Sequence, residues 1–324
     1  MKKILITGVA GFIGFHLALK LIKKKYKIIG IDNLNDYYDQ RLKKNRVKLV
    51  KNKINFHKVD ISNYNSLEKI FIKYNPTIVI NLAAQAGVRY SLSNPKSYIK
   101  TNLSGFFNVI DLSKKYKIKH FIYASSSSVY GLNKKLPFSE NNNTDKVASL
   151  YGATKKSNEL IAHAYAHISN LPCTGLRYFT VYGPWGRPDM ALFKFTKKIL
   201  NQKKITVFNK GQMTRDFTYI DDVIDYTYRI IKKIPKKKNM NPIPFQIYNL
   251  GNKKPIKLLS FIKILEKNLN KKAKIEYLNF QKTEIKNTSS DTTKLYKTLK
   301  FKKYTPLNVG IGNFVKWFKD YYKF

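Results

Sequence analysis

The sequence predicts an α/β fold built on a doubly wound parallel sheet. Apolar segments of strand length alternate with helical segments through the first half of the chain, an order typical of parallel strands joined by crossover helices. A glycine-rich turn, GVAGFIG at residues 8–14, follows the first apolar segment at once. The 324 residues suffice for this Rossmann-type domain, expected over residues 1–177, and for a smaller α/β domain, expected mainly over residues 178–324, from which some segments return to the first.

Five strands are predicted in the first domain from their apolar character and their flanking turns. They are KKILIT (2–7), YKIIGID (26–32), INFHKVDI (54–61), TIVINLAA (77–84) and KHFIYASS (119–126). Helical patterns lie between them, over residues 12–24, 66–74 and 98–116. Ligands of a doubly wound sheet bind beyond the carboxyl ends of its strands. The run ASSSSVYG (124–131) stands at such an end, which indicates a functional role for at least one of its serines.

The first turn has the composition of a dinucleotide site. Gly8, Gly11 and Gly14 form a G-x-x-G-x-x-G pattern between a strand and a helix. Residues without a Cβ let the backbone approach a pyrophosphate, which the N–H groups of the helix N-terminus then bind. Asp32 ends the second strand near the spacing of an acid that bonds the adenosine ribose, which favours NAD over NADP because an acid repels a 2′-phosphate. Further candidate NAD contacts are Phe12, Ile13, Asn33, Asp60, Ile61, Leu82, Ala83 and Ala84.

A tyrosine and a lysine form the candidate catalytic pair. Tyr151 and Lys155 stand four residues apart in the helical segment LYGATKKSNELIAHAYA, so their side chains lie on one helix face. A tyrosine with its ordinary pKa of about 10 is a weak base at neutral pH. A neighbouring ammonium group and the positive nicotinamide ring of NAD would stabilise the phenolate and lower that pKa. A serine from the run at 125–128 would then hydrogen-bond the substrate hydroxyl from which Tyr151 removes the proton.

The formal net charge of +43 is explained better by composition than by a binding face. Only seven of the 62 basic residues are arginines, and the lysines are spread over the whole chain. No nucleic-acid motif is present, so we expect no specific nucleic-acid partner, although weak attraction for polyanions remains expected. Because lysine prevails, the few arginines mark positions that need a planar, forked donor.

Other site classes are not indicated. The single cysteine, Cys173, allows no internal disulfide and suits a cytoplasmic protein. No apolar run reaches the roughly 20 residues of a membrane-spanning helix, so we expect no membrane partner. The five histidines form no metal-ligand pattern, and no metal is expected.

The chain resembles extended short-chain dehydrogenases/reductases of the nucleotide-sugar epimerase branch, and UDP-glucuronate 4-epimerases in particular. The resemblance covers nearly the whole chain and rests on GVAGFIG, DNLNDYYDQRLK (32–43), NLAAQAGVRYSLSNP (81–95), ASSSSVYG, YGATK, RYFTVYGPWGRPDMALFKF (177–195) and GQMTRDFTYIDD (211–222). One departure is Asn81, where the family pattern has histidine. We expect this change to affect local hydrogen bonding and not the chemistry.

The resemblance implies an NAD-dependent 4-epimerase of UDP-glucuronate and UDP-galacturonate. Tyr151 would be the base and Lys155 its partner, and both would also contact NAD. Ser126 would take the role that a serine or threonine fills in the family. The C4 hydroxyl would be oxidised to a ketone and then reduced on the other face of the sugar. The candidate substrate contacts are Arg89, Ser126, Ser127, Ser128, Thr180, Arg187, Val207, Phe208 and Arg215.

Alternative activities remain open at this stage. UDP-glucuronate decarboxylases carry an acid in the pattern S-x-S-E-V-Y-G, where this chain has Ser128. Dehydratases carry an Asp–Glu pair at the positions of Ser127 and Ser128. UDP-glucose 4-epimerase is the closer alternative, and the segment GPWGRPDM argues against it. A non-catalytic protein of the same fold would be expected to lack Tyr151 or Lys155.

The resemblance also implies a homodimer. In this family two helices from each subunit pair, which correspond here to the segments around residues 98–116 and 151–168.

Overall fold

The chain folds into two compact units. The computed structural model describes residues 2–237, 242–279 and 285–324. The first unit contains residues 1–133, 143–178 and 224–248, and the second contains residues 134–142, 179–223 and 249–324. Residues 224–248 return to the first unit because Phe245–Leu250 forms the edge strand beside Cys173–Tyr178.

A seven-stranded sheet forms the centre of the first unit. In chain order its strands are Lys3–Thr7 (β1), Lys27–Asp32 (β2), Asn55–Lys58 (β3), Ile78–Asn81 (β4), His120–Ser126 (β5), Cys173–Tyr178 (β6) and Phe245–Leu250 (β10). Their spatial order is β10-β6-β5-β4-β1-β2-β3. The pairings from β6 to β3 are all parallel. This confirms the predicted doubly wound parallel sheet of the Rossmann type.

The strand order reverses between β1 and β4. From β1 the chain moves outward to β2 and β3, and it then returns to β4 on the other side of β1. Such a reversal leaves a crevice at the carboxyl ends of the two central strands, because the following helices turn to opposite faces of the sheet. The residues that follow Thr7 and Asn81 therefore lie at this crevice.

The helices lie in both units. In chain order they are Phe12–Lys23 (α1), Gln40–Val50 (α2), Tyr64–Tyr74 (α3), Tyr90–Ser93 (α4), Pro95–Tyr98 (α5), Phe106–Lys115 (α6), Leu150–Ser169 (α7), Ala191–Leu200 (α8), Ile220–Ile231 (α9), Leu258–Leu269 (α10), Thr293–Leu299 (α11) and Leu307–Tyr322 (α12). The segment Ile99–Gly105 is π-helical, so the continuous helix predicted over 98–116 is wound more widely in its first half.

The core of the first unit lies between the sheet and its helices. Leu5, Val79 and Phe121 are fully buried in neighbouring strands, and Phe71 and Val109 pack against them from α3 and α6. Strands covered on both faces need apolar side chains in both directions. This explains why the strand segments read as continuous apolar runs rather than as alternating patterns.

The second unit contains two small sheets. Its strands are Thr180–Tyr182 (β7), Ile205–Phe208 (β8), Thr214–Tyr219 (β9), Pro255–Lys257 (β11) and Ile275–Leu278 (β12). One sheet has the order β11-β9-β7, and the other pairs β12 with β8 in parallel. Aromatic side chains from α8 and α12 pack together, with the rings of Phe193 and Phe318 5.0 Å apart. Among the described residues, no helix combines the length and apolarity needed to cross a membrane.

A buried histidine in the central sheet gives the fold a predictable pH dependence. His120 is fully buried, its Nε2 lies 2.8 Å from Thr174 Oγ1, and burial lowers its pKa from 6.5 to about 4. Between these values the unfolded chain binds a proton that the folded chain does not. Lowering the pH from 6.5 to 5 should therefore reduce the free energy of unfolding by about 2 kcal/mol through this residue.

Urea unfolding of the protein and of His120→Gln at both pH values measures this contribution. Because other groups titrate in both proteins, the difference between the two pH dependences isolates His120. Equal pH dependences would contradict the assignment.

Candidate active site

The turn between β1 and α1 has the shape of an anion cradle. Gly8 has a φ of +71°, and a Cβ at this position would lie 2.7 Å from the backbone nitrogen of Ala83. A Cβ on Gly14 would lie 2.2 Å from the carbonyl oxygen of Gly8. Gly11 precedes α1 without a side-chain cap, and the first turn of the helix contains no acid. The N–H groups around Phe12 and Ile13 are therefore suited to bind a pyrophosphate.

Asp32 ends β2 beside this turn. Its carboxylate accepts hydrogen bonds from Ala10 N at 3.0 Å and Leu34 N at 2.8 Å. Burial raises the pKa of Asp32, whereas the charges of Lys43 and Arg46 act to lower it. These two cations from α2 were not identified from the sequence as part of the site. Their spacing of three residues on a helix was the available signal, since such residues share a face.

Asn33 and Asp60 are joined where β2 and β3 end. Asn33 Nδ2 donates to Asp60 Oδ2 at 3.1 Å, and Asp60 Oδ1 accepts two bonds of 2.8 Å from the backbone and hydroxyl of Ser62. Burial acts to raise the pKa of Asp60, but these hydrogen bonds outweigh it and the pKa is lowered. The side chain of Ile61 is buried in the core, so only its backbone remains for a ligand contact.

Hydrogen bonds join the ends of β1 and β4, where the strand order reverses. Thr7 Oγ1 donates to Asn81 Oδ1 at 2.5 Å and accepts from Ala83 N at 3.0 Å. The backbone N–H of Leu82 donates to Thr7 O at 3.2 Å. Asn81 therefore ties β4 to β1 and holds Leu82, Ala83 and the following Ala84 beside the glycine turn. Its contact explains how asparagine serves at a position where the family pattern has histidine.

Tyr151 and Lys155 lie near the start of α7, which Ser149 caps by accepting a bond from Gly152 N at 3.1 Å. Lys155 is buried, and its Nζ donates to Ala124 O at 2.8 Å. Burial lowers the pKa of Lys155 to about 8. Tyr151 is half-buried and packs edge-on against the ring of Tyr98, with 6.2 Å between the ring centroids.

The first two serines of the run, Ser125 and Ser126, point to opposite faces of β5, because side chains alternate along a strand. Ser125 is buried and donates to Glu159 Oε1 at 2.6 Å. Ser126, the last residue of β5, accepts a bond from Ser128 N at 3.1 Å and donates to Ser128 Oγ at 3.2 Å. Ser127 and Ser128 begin the 3₁₀ turn Ser127–Tyr130. Lys155 and Ser126 are thus held at the same strand end, because Lys155 binds the carbonyl of Ala124.

A buried ion pair lies beneath the run and was not predicted from the sequence. Arg177 donates from Nε to Glu159 Oε1 and from Nη2 to Glu159 Oε2, both at 2.8 Å. Its Nη1 donates to Tyr130 Oη at 3.0 Å. Burial acts to lower the pKa of Arg177, but the contact with Glu159 outweighs it and the pKa is raised. The pair joins α7 to β6, and the bond from Ser125 extends it to β5.

Asn102 is a further residue that sequence reasoning missed. It lies buried in the π-helical segment, where its backbone carbonyl accepts from Asn158 Nδ2 at 2.6 Å. Its side chain bonds both the N–H and the carbonyl of Gln85, at 2.8 and 3.0 Å, and donates to Thr154 Oγ1 at 3.1 Å. The only signal in the sequence was a polar residue inside an apolar helical pattern.

The other predicted site residue of the first unit is less enclosed. Arg89 is exposed directly before the short helix α4. The anion contact expected for Arg89 stays a prediction.

Five predicted substrate contacts lie in the second unit. Val207 and Phe208 share strand β8, but Val207 is fully buried, so only Phe208 offers side-chain surface. Thr180 opens β7 and pairs with Phe217 of the neighbouring strand β9, two residues beyond Arg215. Arg215 Nη1 donates to the carbonyls of Thr214 and Lys286, at 2.9 and 3.0 Å.

Arg187 is engaged within its own loop. Its Nε donates to Asp189 Oδ1 at 2.9 Å, and its Nη2 also pairs with Asp189 Oδ2. The guanidinium fork is therefore held by a neighbouring carboxylate, which the sequence did not reveal. This arrangement favours an effect of Arg187 on the expected substrate site through loop structure and charge. It fits less well with bidentate binding of a substrate carboxylate by a free guanidinium group.

Comparisons with known proteins place these features in context. The family model described as "NAD dependent epimerase/dehydratase family" matches residues 4–251. Protein CapI of Staphylococcus aureus is 49% identical over 99% of this chain and 99% of its own length. UDP-glucuronate 4-epimerase 4 of Arabidopsis thaliana is 43% identical over 98% of this chain and 76% of its own length. A crystal structure of UDP-glucuronic acid 4-epimerase from Bacillus cereus, in complex with UDP-glucuronic acid and NAD, has a TM-score of 0.91 at 35% identity and covers 99% of this chain and 100% of that one.

The buried ion pair predicts a large effect of a small substitution. Glu159→Gln keeps the size of the side chain but leaves Arg177 without its counter-charge. We expect the free energy of unfolding in urea to fall by about 3 kcal/mol.

Glu68→Gln is the matched control. Glu68 pairs with Lys115 at 2.6 Å on an exposed surface, where water and salt screen the charges. This variant should unfold much like the unaltered protein. Equal stability losses in the two variants would show that the pair with Arg177 has no special role.

Proposed function

The chain belongs to the NAD dependent epimerase/dehydratase family, and from this premise we propose that it is a 4-epimerase that interconverts UDP-glucuronate and UDP-galacturonate. One observation carries the proposal: Lys155 and Ser126 are held at the end of β5, with Tyr151 one helical turn before Lys155. The uronate substrate is supported by relatives that are named UDP-glucuronate 4-epimerases, of which one is 44% identical over 98% of this chain.

The cofactor of the family is NAD, and the residues of the first unit fit it. The glycine turn leaves space where a Cβ would collide with backbone, and the uncapped N-terminus of α1 suits the pyrophosphate. Asp32 and the joined pair Asn33–Asp60 would hold the adenosine end, and Leu82, Ala83 and Ala84 would line the next part of the site. When bound, NAD would supply reversible hydride transfer at the sugar C4.

Tyr151 takes the proton of the C4 hydroxyl in the proposed reaction. A pKa of about 8 keeps the Lys155 side chain largely positive at neutral pH, so its charge favours the tyrosine phenolate. Lys155 cannot swing away, because it is buried and bonded to Ala124 O. The Ser126 hydroxyl, positioned by the backbone N–H of Ser128, hydrogen-bonds the same sugar oxygen. Loss of the hydroxyl proton to Tyr151, together with transfer of the C4 hydride to the cofactor, would leave a 4-keto sugar.

The 4-keto sugar turns about its diphosphate linkage before it is reduced, and residues of the second unit hold its UDP part. We assign the diphosphate to Arg215 and the uracil to the backbone of Val207 and the ring of Phe208. Thr180 faces the sugar, and Arg89 contributes an anion contact. Arg187 supports the uronate carboxylate through its charge and through the loop that its pairing with Asp189 holds.

The serine run disfavours two related reactions. Ser127 and Ser128 occupy the positions at which dehydratases carry acids, and Ser128 also occupies the acid position of the decarboxylases. A hydroxyl neither removes a proton nor donates one as readily as a carboxyl group at neutral pH. The ketone intermediate is therefore expected to be reduced at C4 without elimination of water or loss of CO₂.

Product analysis tests the proposed activity. Purified protein should convert UDP-glucuronate and UDP-galacturonate into a mixture of the two, and it should leave UDP-glucose and UDP-galactose essentially unchanged. Tyr151→Phe should lower the rate by at least about a hundredfold, because general base catalysis contributes on this order. NAD released on denaturation should be equal in both proteins.

Two results would overturn the assignment. Interconversion of only the neutral pair would favour a UDP-glucose 4-epimerase, and formation of UDP-xylose would indicate decarboxylation. A Tyr151→Phe variant that retains its full rate would remove Tyr151 from the mechanism.

The assembly proposed for this function is a homodimer. The two segments expected to pair carry exposed apolar side chains, which are Ile99 and Phe107 on one and Leu160 and Ile168 on the other. On α7, Leu160 and Ile168 are eight residues apart, so they lie close to one helix face. Exposed apolar side chains on both segments fit burial against a second copy.

Leu160→Glu should convert the dimer into a monomer, since a charge would be buried in the interface. Light scattering coupled to gel filtration gives the mass of each species. Ile72→Glu is the control, because Ile72 is equally exposed but lies on α3. A monomeric unaltered protein, or an unchanged mass in Leu160→Glu, would contradict the dimer.

A further inference from the structure

Two lysine-rich turns lie side by side in the second unit. One joins α8 to β8 over residues 201–204, and the other joins α10 to β12 over residues 270–274. The two strands pair in parallel from their first residues, with Ile205 opposite Ile275 and Ile205 N donating to Lys274 O at 2.8 Å. Because both turns lead into the same end of this pair, the strand register brings them together.

The turns form a cavity lined mainly by lysine side chains. It has a volume of about 290 Å³ and is lined by Ile199, Gln202, Lys203, Lys271, Lys272 and Lys274. We call this set the lysine pocket. Over residues 197–204 and 263–274 the sequence has nine lysines and a single acid, Glu266. The excess of lysine that composition explains for the whole chain is here concentrated around one concave site.

The charges of the lysine pocket are poorly compensated. Lys272 lies 3.6 Å from Glu266, whose carboxylate also accepts a bond from Ala273 N at 2.8 Å. Within residues 2–237, 242–279 and 285–324, the side chains of Lys203, Lys271 and Lys274 have no ion pair or hydrogen bond. Like charges around one cavity repel each other, and a bound anion would remove this repulsion.

The ends of the two helices do not account for the cluster. Lysines often occur near helix C-termini because they bond the last free carbonyls. Here three of those carbonyls already accept other bonds: Lys198 O from Lys203 N at 2.8 Å, Ile199 O from Gln202 N at 3.0 Å, and Glu266 O from Lys271 N at 3.2 Å. The ammonium groups are therefore available to a ligand.

We propose that the lysine pocket binds a polyphosphate group, either free or as the phosphate tail of a nucleotide. A cavity of about 290 Å³ is large enough for two or three linked phosphates. Lysine ammonium groups bind phosphate as point charges and need no planar geometry. The pocket lies at the amino end of β8, whereas Val207 and Phe208 occupy the carboxyl end of the same strand. It is thus separate from the proposed uracil contact by about 10 Å of strand.

Titration calorimetry with inorganic tripolyphosphate tests the proposal. The protein is first saturated with NAD and UDP, so that the sites proposed for those ligands are filled. One equivalent of tripolyphosphate should still bind. The triple variant Lys203→Gln/Lys271→Gln/Lys274→Gln should bind it at least about tenfold more weakly, because it lacks three charge-assisted contacts.

The control is Lys48→Gln/Lys51→Gln/Lys53→Gln, which removes the same charge from exposed lysines of the first unit. Its affinity should stay within about twofold of the unaltered protein, since these charges are distant from the pocket and screened. Equal weakening in both triple variants would mean that only the net charge attracts the anion and would overturn the proposal. Absence of saturable binding, or displacement of tripolyphosphate by UDP, would overturn it as well.

A parallel titration with ATP in the absence of divalent metal identifies the source of the phosphates. Tighter binding of ATP than of tripolyphosphate assigns a nucleotide tail, and weaker binding assigns a free polyphosphate. In either case the tighter ligand must lose affinity in the pocket variant and keep it in the control. Equal melting temperatures of the three proteins confirm that the exposed substitutions leave the fold intact.

Discussion

The buried pair of Glu159 and Arg177 is the interaction on which the proposed catalytic geometry depends. Glu159 lies on the helix that carries Tyr151 and Lys155, while Arg177 lies on the strand next to the serine run. Two charged side chains are costly to bury, and this cost is offset only when their hydrogen bonds are satisfied. Here the carboxylate receives three bonds, two from Arg177 and one from Ser125. The pair therefore joins the helix that carries Lys155 to the strands beside Ser126.

The same sheet edge serves both halves of the proposed reaction. The strands β1, β4 and β5 are neighbours and parallel, so Gly8, Asn81 and Ser126 stand at or beyond their carboxyl ends. The hydrogen bond from Thr7 to Asn81 joins the ends of the central strands β1 and β4. The bond from Lys155 to Ala124 O joins the helix that carries the proposed catalytic pair to the same edge. Short polar side chains at the ends of these parallel strands thus hold the positions at which the proposed cofactor and substrate would bind.

Local patterns in the sequence predicted the parts of the site that depend on local structure. The glycine turn and the Tyr–Lys pair are each contained in a few residues, and their spacing reveals the element that carries them. Long-range pairing is invisible to periodicity, so Glu159 was not connected with Arg177, nor Asn102 with Gln85. The pairing of Arg187 with Asp189 is local but depends on loop conformation. The lysine pocket was missed because it depends on the register of two strands that are 70 residues apart.

The most direct test of the proposed function follows the hydrogen atom at C4. UDP-glucuronate that carries deuterium at C4 is incubated with the NAD-loaded protein, and the products are examined by mass spectrometry and NMR. The mechanism proposed for Tyr151, Lys155 and Ser126 predicts UDP-galacturonate that keeps deuterium at C4, since the hydride leaves and returns without exchange with water. Product that has lost its label to solvent, or a UDP-pentose with release of CO₂, would contradict it.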